Sequence, residues 1–324
     1  MDRVIITGGN GFIGRHLVKK FMSTKPSTLA LISNLSRIDD KNLAVRNLQG
    51  DIQFRTYTAD IRDRNEISNI FREEKADTCI HLAAKISVAD SINNPDETMD
   101  INVNGTLNVL EACSNNKLKN FVFASSAAVY GDVKDLPISE NHVLAPLSPY
   151  GKSKMLAEKL VFRYNKLKKI QNTASLRIFN VYGADNVNQT DVISRFSARL
   201  SKGLPPIIRG DGKHTRDFIS ADDVSDGILL SIKAMENGYS GNTSSPVFNI
   251  GSGAGTSIDD LARKMIKISE FEFDPIYEEG KNDNGVIMHS YADITRAKQY
   301  LHFVPKIDLE RGLREIIRAF VVRE

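Results

Sequence analysis

Tyr150 and Lys154 stand four residues apart in a segment that opens Ser148-Pro149. On a helix that spacing places both side chains on one face, one turn apart. A phenol with an ordinary pKa of about 10 is a poor base at neutral pH. A neighbouring ammonium favours the phenolate. Ser126, upstream, could hold a substrate hydroxyl against that oxygen. Serine, tyrosine and lysine in this relation form a proton-transfer group, and the chain reads as an enzyme.

The elements that must carry these residues are short apolar runs alternating with helical patterns. Val4-Ile5-Ile6 precedes a helix predicted from Phe12 to Met22, and Leu29 to Ile32 is a second strand. Gln53 to Tyr57 precedes a helix from Asp63 to Lys75, and Thr78 to Leu82 is another strand. Met99 to Ser114 has apolar positions at Ile101, Val103, Leu107 and Leu110 that suit one helix. Phe121 to Phe123 is a strand ending at Ser125-Ser126, Ser148-Pro149 opens the helix of Tyr150 and Lys154, and Ala174 to Ile178 is a further strand. Such alternation implies a parallel sheet covered on both faces.

Between the first strand and first helix lies Thr7-Gly8-Gly9-Asn10-Gly11-Phe12-Ile13-Gly14, with Gly8, Gly11 and Gly14 in G-x-x-G-x-x-G spacing. Glycine permits a tight turn and close backbone approach to a pyrophosphate, whose charge suits the N–H groups of the helix start. The stretch from Gly8 to Gly14 is therefore the candidate dinucleotide cradle, with Asn10, Phe12 and Ile13 inside it. An acidic residue about 20 positions on often bonds the adenine ribose. Here the second strand ends in Ser33, followed by Asn34 and, three residues later, Arg37. Arg37 beside a neutral Ser33 suits a 2′-phosphate. The alternative is an ordinary solvated Arg37 with Asn34 at the ribose, so NAD and NADP both stay open. Asp60 and Ile61, after the third strand, are candidates for the adenine end; alternatively Asp60 only caps the region of the Asp63 helix.

The 324 residues suffice for one large domain or two unequal ones. Hydrophobic residues are 41% and charged residues 26%, and the net charge of +3 gives no case for nucleic acid. Cys79 and Cys113 lie in core-like segments with no metal spacing, as structural thiols in a reducing compartment do. The six histidines show no ligand pattern, so no metal is expected. The first strand starting at Arg3 leaves no room for a signal peptide, and no apolar run nears the roughly 18 residues of a membrane span. A cytoplasmic protein is expected. After Asn180 the rhythm loosens into shorter elements separated by Gly-, Pro- and Asn-rich loops. The fold class is thus α/β: a Rossmann-type doubly wound parallel sheet over residues 1–180 and a smaller α/β carboxy-terminal substrate domain over 181–324. The chain is expected to return to the sheet within 217–250, near Phe218 and again near Phe248. The cluster Gly251-Ser252-Gly253-Ala254-Gly255 reads as a structural turn.

Together with Thr7-Gly8-x-x-Gly11-x-x-Gly14, Ser126 and Tyr150-x-x-x-Lys154, other segments follow in order. They are His81-Leu82-Ala83-Ala84-x-x-Ser87-Val88, Asn102-Val103-Asn104-Gly105-Thr106, and Phe123-Ala124-Ser125-Ser126-Ala127-Ala128-Val129-Tyr130-Gly131. Arg177-Ile178-Phe179-Asn180-Val181-Tyr182-Gly183 and Gly210-Asp211-Gly212-x-x-x-Arg216-Asp217-Phe218 complete the set. In these the chain resembles, over nearly its whole length, the extended short-chain dehydrogenase/reductase family, in its nucleotide-sugar 4-epimerase branch.

The resemblance implies that Tyr150 is the base, that Lys154 binds the nicotinamide ribose and lowers the Tyr150 pKa, and that Ser126 orients the sugar hydroxyl. It places Leu82, Ala83 and Ala84 beside a tightly bound NAD or NADP. It implies reversible oxidation at C4 of a UDP-hexose or UDP-N-acetylhexosamine through a 4-keto sugar, and a homodimer built on the Tyr150 helix. Asn180 and Arg216 are the candidates for the substrate's diphosphate, Ser87 for its sugar, and Lys85 could add positive charge nearby. Dehydratases of the family have a carboxylate just after the active-site Ser or Thr, whereas Ala127 and Ala128 stand here. Alanine transfers no proton, which favours an epimerase, or a ketosugar reductase or dehydrogenase, over a dehydratase. A dinucleotide sensor without catalysis is a third reading, against which the intact Ser126, Tyr150 and Lys154 stand. One departure is Asp283, where many relatives have the arginine that clamps the diphosphate; Lys281 could replace it.

Overall fold

The computed structural model of the chain describes residues 1–34, 52–184, 191–239, 246–279 and 287–321. The first half runs β1 (Arg3–Thr7), α1 (Phe12–Thr24), β2 (Thr28–Ser33), β3 (Gln53–Thr58), α2 (Arg64–Glu74), β4 (Thr78–His81), α3 (Val88–Asn93), α4 (Pro95–Met99), α5 (Gly105–Asn115), β5 (Asn120–Ser126), α6 (Pro149–Lys166) and β6 (Asn172–Ile178). There follow β7 (Asn180–Tyr182), α7 (Val192–Leu200), β8 (Ile207–Arg209), β9 (Thr215–Arg216), β10 (Phe218–Ser220), α8 (Ala221–Glu236), β11 (Val247–Ile250), β12 (Thr256–Ser257), α9 (Ile258–Ile268), β13 (Ile276–Glu278), β14 (His289–Ser290), α10 (Thr295–Leu301) and α11 (Leu309–Val321).

Among the described residues, seven strands form one parallel sheet in the order β11-β6-β5-β4-β1-β2-β3. Successive side chains of a strand face opposite ways, and β1 shows the result. Val4 and Ile6 pack with Leu17, Phe21 and Ile228, while Ile5 packs with Phe71, Val109 and Phe121. Both faces are therefore dry, as the continuous apolar strands imply. Strand order reverses between β1 and β4, and in open α/β sheets ligands bind beyond the strand ends at such a switch. A separate core joins α7, α9 and α11 through Phe196, Leu261, Met265 and Leu313.

Two expectations are corrected. The strand at Phe218 does not enter the large sheet: β10 pairs in parallel with β7, Phe218 opposite Asn180. The chain rejoins the sheet through β11, Val247 opposite Ser175, and the intervening α8 packs Val224, Ile228 and Ile232 into the sheet's core. The single helix expected from Met99 to Ser114 is instead α4 and α5 joined by a π-helical turn at Asp100–Asn104. That wider turn holds Asn102, whose side chain accepts from Lys85 N (2.8 Å) and donates to Lys85 O and Ser153 Oγ (2.9 Å each).

Candidate active site

Ser126 ends β5, and Tyr150 and Lys154 lie in the first two turns of α6. The helix starts where it does because Ser148 Oγ accepts from Gly151 N at 3.1 Å and Pro149 follows at the first position. A second anchor is Ser91, fully buried on α3, whose hydroxyl accepts from Tyr150 N at 3.2 Å. Lys154 is buried, donates to Ala124 O at 2.8 Å and lies 5.0 Å from the centre of the Phe123 ring. Burial pulls its amine down to about 7, against the opposing charge of Glu158. Burial likewise raises the Tyr150 phenol, while a side-chain hydrogen bond with Ser126 lowers it. Ser126 Oγ also accepts from Ala128 N at 3.2 Å, capping the short turn Ala127–Val129. The structure thus joins Ser126 to Tyr150 and sets Lys154 one turn behind. The Lys154 ammonium is engaged by a main-chain carbonyl, and the group that favours the phenolate here is Ser126.

The glycine loop lies at the ends of β1 and β4. Gly8 adopts φ +71°, and a Cβ there would stand 2.7 Å from Ala83 N; one on Gly14 would stand 2.4 Å from Gly9 O. Gly11 starts α1 with no side-chain cap, so the first-turn N–H groups lack a side-chain acceptor. Among the described residues, Asn10 Oδ1 is buried without a hydrogen-bond partner. An uncapped helix start, an orphaned polar atom and a cradle with no room for Cβ fit the pyrophosphate of a dinucleotide. Phe12 and Ile13 are the first residues of α1, and Leu82-Ala83-Ala84 follow β4, with Ala83 against Gly8. Ser33 is buried at the end of β2, and Asn34 is exposed beside it. Arg37 lies outside the described residues. Asp60 is not the cap of α2: that is Asp63, which accepts from Asn65 N and Glu66 N. Asp60 instead takes Arg62 through both carboxylate oxygens, at 2.7 to 3.1 Å. Ile61 is buried against Gly105.

On the substrate side, Arg216 lies in β9 between β12 and β14. Its Nη1 donates to Thr215 O (2.8 Å) and Met288 O (3.3 Å), and among the described residues no carboxylate pairs with it. Burial without a counter-charge lowers its pKa, as expected of a guanidinium kept for an anion. Asp217 does not take it: that carboxylate accepts from Ser252 N and Oγ (2.6 Å each), Gly253 N (3.0 Å) and Ala292 N (3.1 Å). Asn180 has an exposed side chain at the start of β7, and its N–H donates to Asp217 O at 3.0 Å. Ser87 is exposed and caps α3 by accepting from Asp90 N. Lys85 is paired with Asp90 and Glu97, so it is not a free cation. Lys281 and Asp283 fall outside the described residues. An open cavity lined by Asp211, Lys213, Asp259, Tyr277 and Glu278 contains none of these candidates.

Ser91 and Glu158 are buried groups outside the segments quoted from the sequence, and His81 and Asn102 stand in those segments without an assigned role. Glu158 alone had a legible signal, since it continues the four-residue spacing of Tyr150 and Lys154. Among the described residues no three His, Cys, Asp or Glu side chains could hold a metal ion. Nor is any helix there long and apolar enough to cross a membrane. Cys79 and Cys113 are buried free thiols.

A parallel sheet with its glycine loop at the switch point, and a Ser–Tyr–Lys group beside it, define a dinucleotide-dependent enzyme of the extended short-chain type. The chain belongs to the NAD dependent epimerase/dehydratase family, whose sequence profile matches residues 4–251. A Methanocaldococcus jannaschii protein provisionally named a UDP-glucose 4-epimerase is 36% identical over 317 residues, 97% of each chain. The crystal structure of Thermotoga maritima UDP-glucose 4-epimerase with UDP-glucose superposes with a TM-score of 0.84 at 32% identity, covering 99% of this chain and 98% of that one. The Thermus thermophilus UDP-glucose 4-epimerase complex with NAD gives 0.83 at 27% identity, covering 98% of each.

Proposed function

We propose that this protein is a nucleotide-sugar 4-epimerase that retains NAD and acts on a UDP-hexose or UDP-N-acetylhexosamine. Likeness to UDP-glucose 4-epimerases over nearly the full length supports the reaction class, and the NAD-bound relative supports NAD over NADP. The observation that carries the reading is the Ser126–Tyr150–Lys154 group followed by two methyl side chains, Ala127 and Ala128. Tyr150 takes the C4 hydroxyl proton as that carbon becomes a carbonyl, and returns it after the 4-keto sugar has presented its other face. Ser126 holds the C4 oxygen against Tyr150 throughout. Lys154 supplies a positive charge one turn away, and Arg216 with Asn180 holds the diphosphate by charge and hydrogen bonds. The glycine loop and Lys154 would hold the nicotinamide dinucleotide, which would supply the acceptor and donor of hydride. With no carboxylate at 127 or 128, nothing follows Ser126 that would remove the C5 proton, so the ketosugar is reduced rather than dehydrated.

We place the enzyme in the cytoplasm as a dimer built on α6, whose outer side exposes Phe162; sedimentation as a monomer would contradict that assembly. Tyr150→Phe should lower turnover at least about a thousandfold, near the upper end of general acid–base effects, while the coenzyme released on denaturation stays at the wild-type amount. NMR of UDP-glucose incubated with each protein, without added NADH, reads the reaction directly. Activity kept by the Phe variant removes Tyr150 from the mechanism. Net formation of NADH from added NAD, one per product, would make the protein a dehydrogenase.

A further inference from the structure

Glu158 has no part in the steps just described, yet it sits at the junction of the elements that carry them. It follows Tyr150 and Lys154 at the same interval, so three polar side chains line one buried face of α6. Its Oε1 accepts from Ser125 Oγ (2.5 Å) and Arg177 Nε (3.0 Å), and its Oε2 from Arg177 Nη2 (2.8 Å). Ser125 and Arg177 are register partners of β5 and β6, and Ser125 immediately precedes Ser126. Arg177 is held in turn from behind. Its Nη1 donates to Tyr130 Oη (3.1 Å) and Glu140 O (3.2 Å), its guanidinium lies 4.8 Å from the Tyr130 ring centre, and Tyr130 Oη donates to Asn249 Oδ1 at 2.6 Å.

A buried ion pair is poor evidence of stabilisation, because apolar side chains of similar volume often serve as well or better. This pair therefore calls for another role, and its polarity suggests one. The carboxylate end lies one helical turn from Lys154, while the guanidinium end lies beyond it on β6. We propose that Glu158 is a positioning residue for proton transfer: bonded to Ser125 and Arg177, its carboxylate locks β5 to α6 and sets a negative charge one helical turn from the Lys154 amine. The proposal rests on the assigned roles of Ser126, Tyr150 and Lys154. Among the described residues, the groups facing Lys154 are few. From its own helix they are Tyr150 and Glu158; from β5, the Ala124 carbonyl and the Phe123 ring; from β4, His81, which is held neutral. From β6, Arg177 acts across Glu158. Of these, Glu158 is the charge that offsets the burial of the amine.

The test is a pH titration of the full-length protein labelled with 13C at lysine Cε, with the Lys154 signal assigned from its loss in Lys154→Arg. Glu158→Gln removes the charge and should lower the Lys154 midpoint by about one pH unit, a tenfold loss of proton affinity. The high-pH fall in turnover should move down by the same amount, while Glu158→Asp restores both. Should Glu158→Gln not fold, the double variant Glu158→Leu with Arg177→Met removes the pair as an apolar couple and should lower the midpoint in the same direction by less, because the Arg177 charge leaves with it. An unmoved Lys154 midpoint in a folded variant, with turnover reduced equally at every pH, overturns the proposal and leaves Glu158 a structural residue. The titration needs no sugar, so it stands or falls separately from the assignment as an epimerase.

Discussion

The sheet half and the short-strand half of this molecule hold their functional residues by different means. In the sheet half, Tyr150, Lys154 and Glu158 share one helix, and Ser126 ends a strand that pairs with β6 through seven register positions. Their relative positions are fixed by rigid elements and a dry core on each face. In the other half, Arg216 sits in a two-residue strand completed by Thr256 on one side and Ser290 on the other. What joins those pieces is the Asp217 carboxylate, which gathers main-chain N–H groups from Ser252, Gly253 and Ala292. The half proposed to move the proton is thus built from periodic structure, and the half proposed to hold the substrate's diphosphate from loops tied by one buried acid. A change in the first should remove chemistry or coenzyme outright; a change in the second should weaken the grip on substrate and spare the chemistry.

The harshest test of that division is Gly14→Val. Even a single Cβ at this position would meet Gly9 O at 2.4 Å and Gly8 O at 2.6 Å, main-chain atoms that cannot swing aside. Overpacking of this kind costs about 3 kcal/mol, and here it falls on the loop proposed to hold the coenzyme. Denaturing the purified variant should release less than about a tenth of the wild-type coenzyme per chain. A full complement would show that the loop tolerates bulk and that rigidity in the sheet half has been overstated.

How far each half could be read in advance follows the same division. The glycine loop, the Tyr150–Lys154 spacing and the alternating strands were legible because each is a local pattern, and local patterns map directly onto one turn, one helix face or one strand. Glu158 was equally legible, since it continues the spacing of Tyr150 and Lys154. The contacts of His81, Thr106 and Ser91 were not, because their partners come from elements far apart in the chain: Thr7 for His81, Tyr150 for Ser91. The pairing of Phe218 with Asn180 instead of the large sheet was hidden for a related reason. Apolar character says that a three-residue strand is buried but not beside which neighbour.

Arg216→Met probes the loop-built half with a smaller effect. Loss of a charge-assisted hydrogen bond to the diphosphate is worth about 2 kcal/mol, or about thirtyfold in KM. Because Asp217 is satisfied independently of Arg216, folding should be unaffected, and kcat should change much less than KM. Steady-state kinetics with UDP-glucose separates the two. If kcat falls as far as KM rises, Arg216 acts on the reacting sugar and the proposed separation between the halves fails.

A last effect expected is a pH dependence of stability that one buried group of the sheet half contributes. His81 is fully buried between Thr7 Oγ1 on Nδ1 (2.6 Å) and Thr106 Oγ1 on Nε2 (2.9 Å). Thr106 already donates its hydroxyl to Asn102 O at 2.6 Å, so it accepts from Nε2–H, and Nδ1 is left to accept from Thr7. This chain of bonds ties β1, at the glycine loop, to the π-helical turn, and it requires a neutral imidazole. Burial, aided by the Lys154 charge, holds the His81 pKa down to about 3, against about 6.5 in an unfolded chain. Below that unfolded value the unfolded state binds a proton that the folded state refuses, so folding stability is full above it and falls as pH drops. The slope is about 1.4 kcal/mol per pH unit, or about 2 kcal/mol lost by pH 5. Urea unfolding at pH 7.5 and pH 5, compared between the wild type and His81→Gln, isolates this contribution, because every other group titrates in both proteins. The glutamine variant should lose about 2 kcal/mol less across the interval. Equal losses would mean that the imidazole takes up a proton inside the fold, and that the sheet half yields where its packing says it should not.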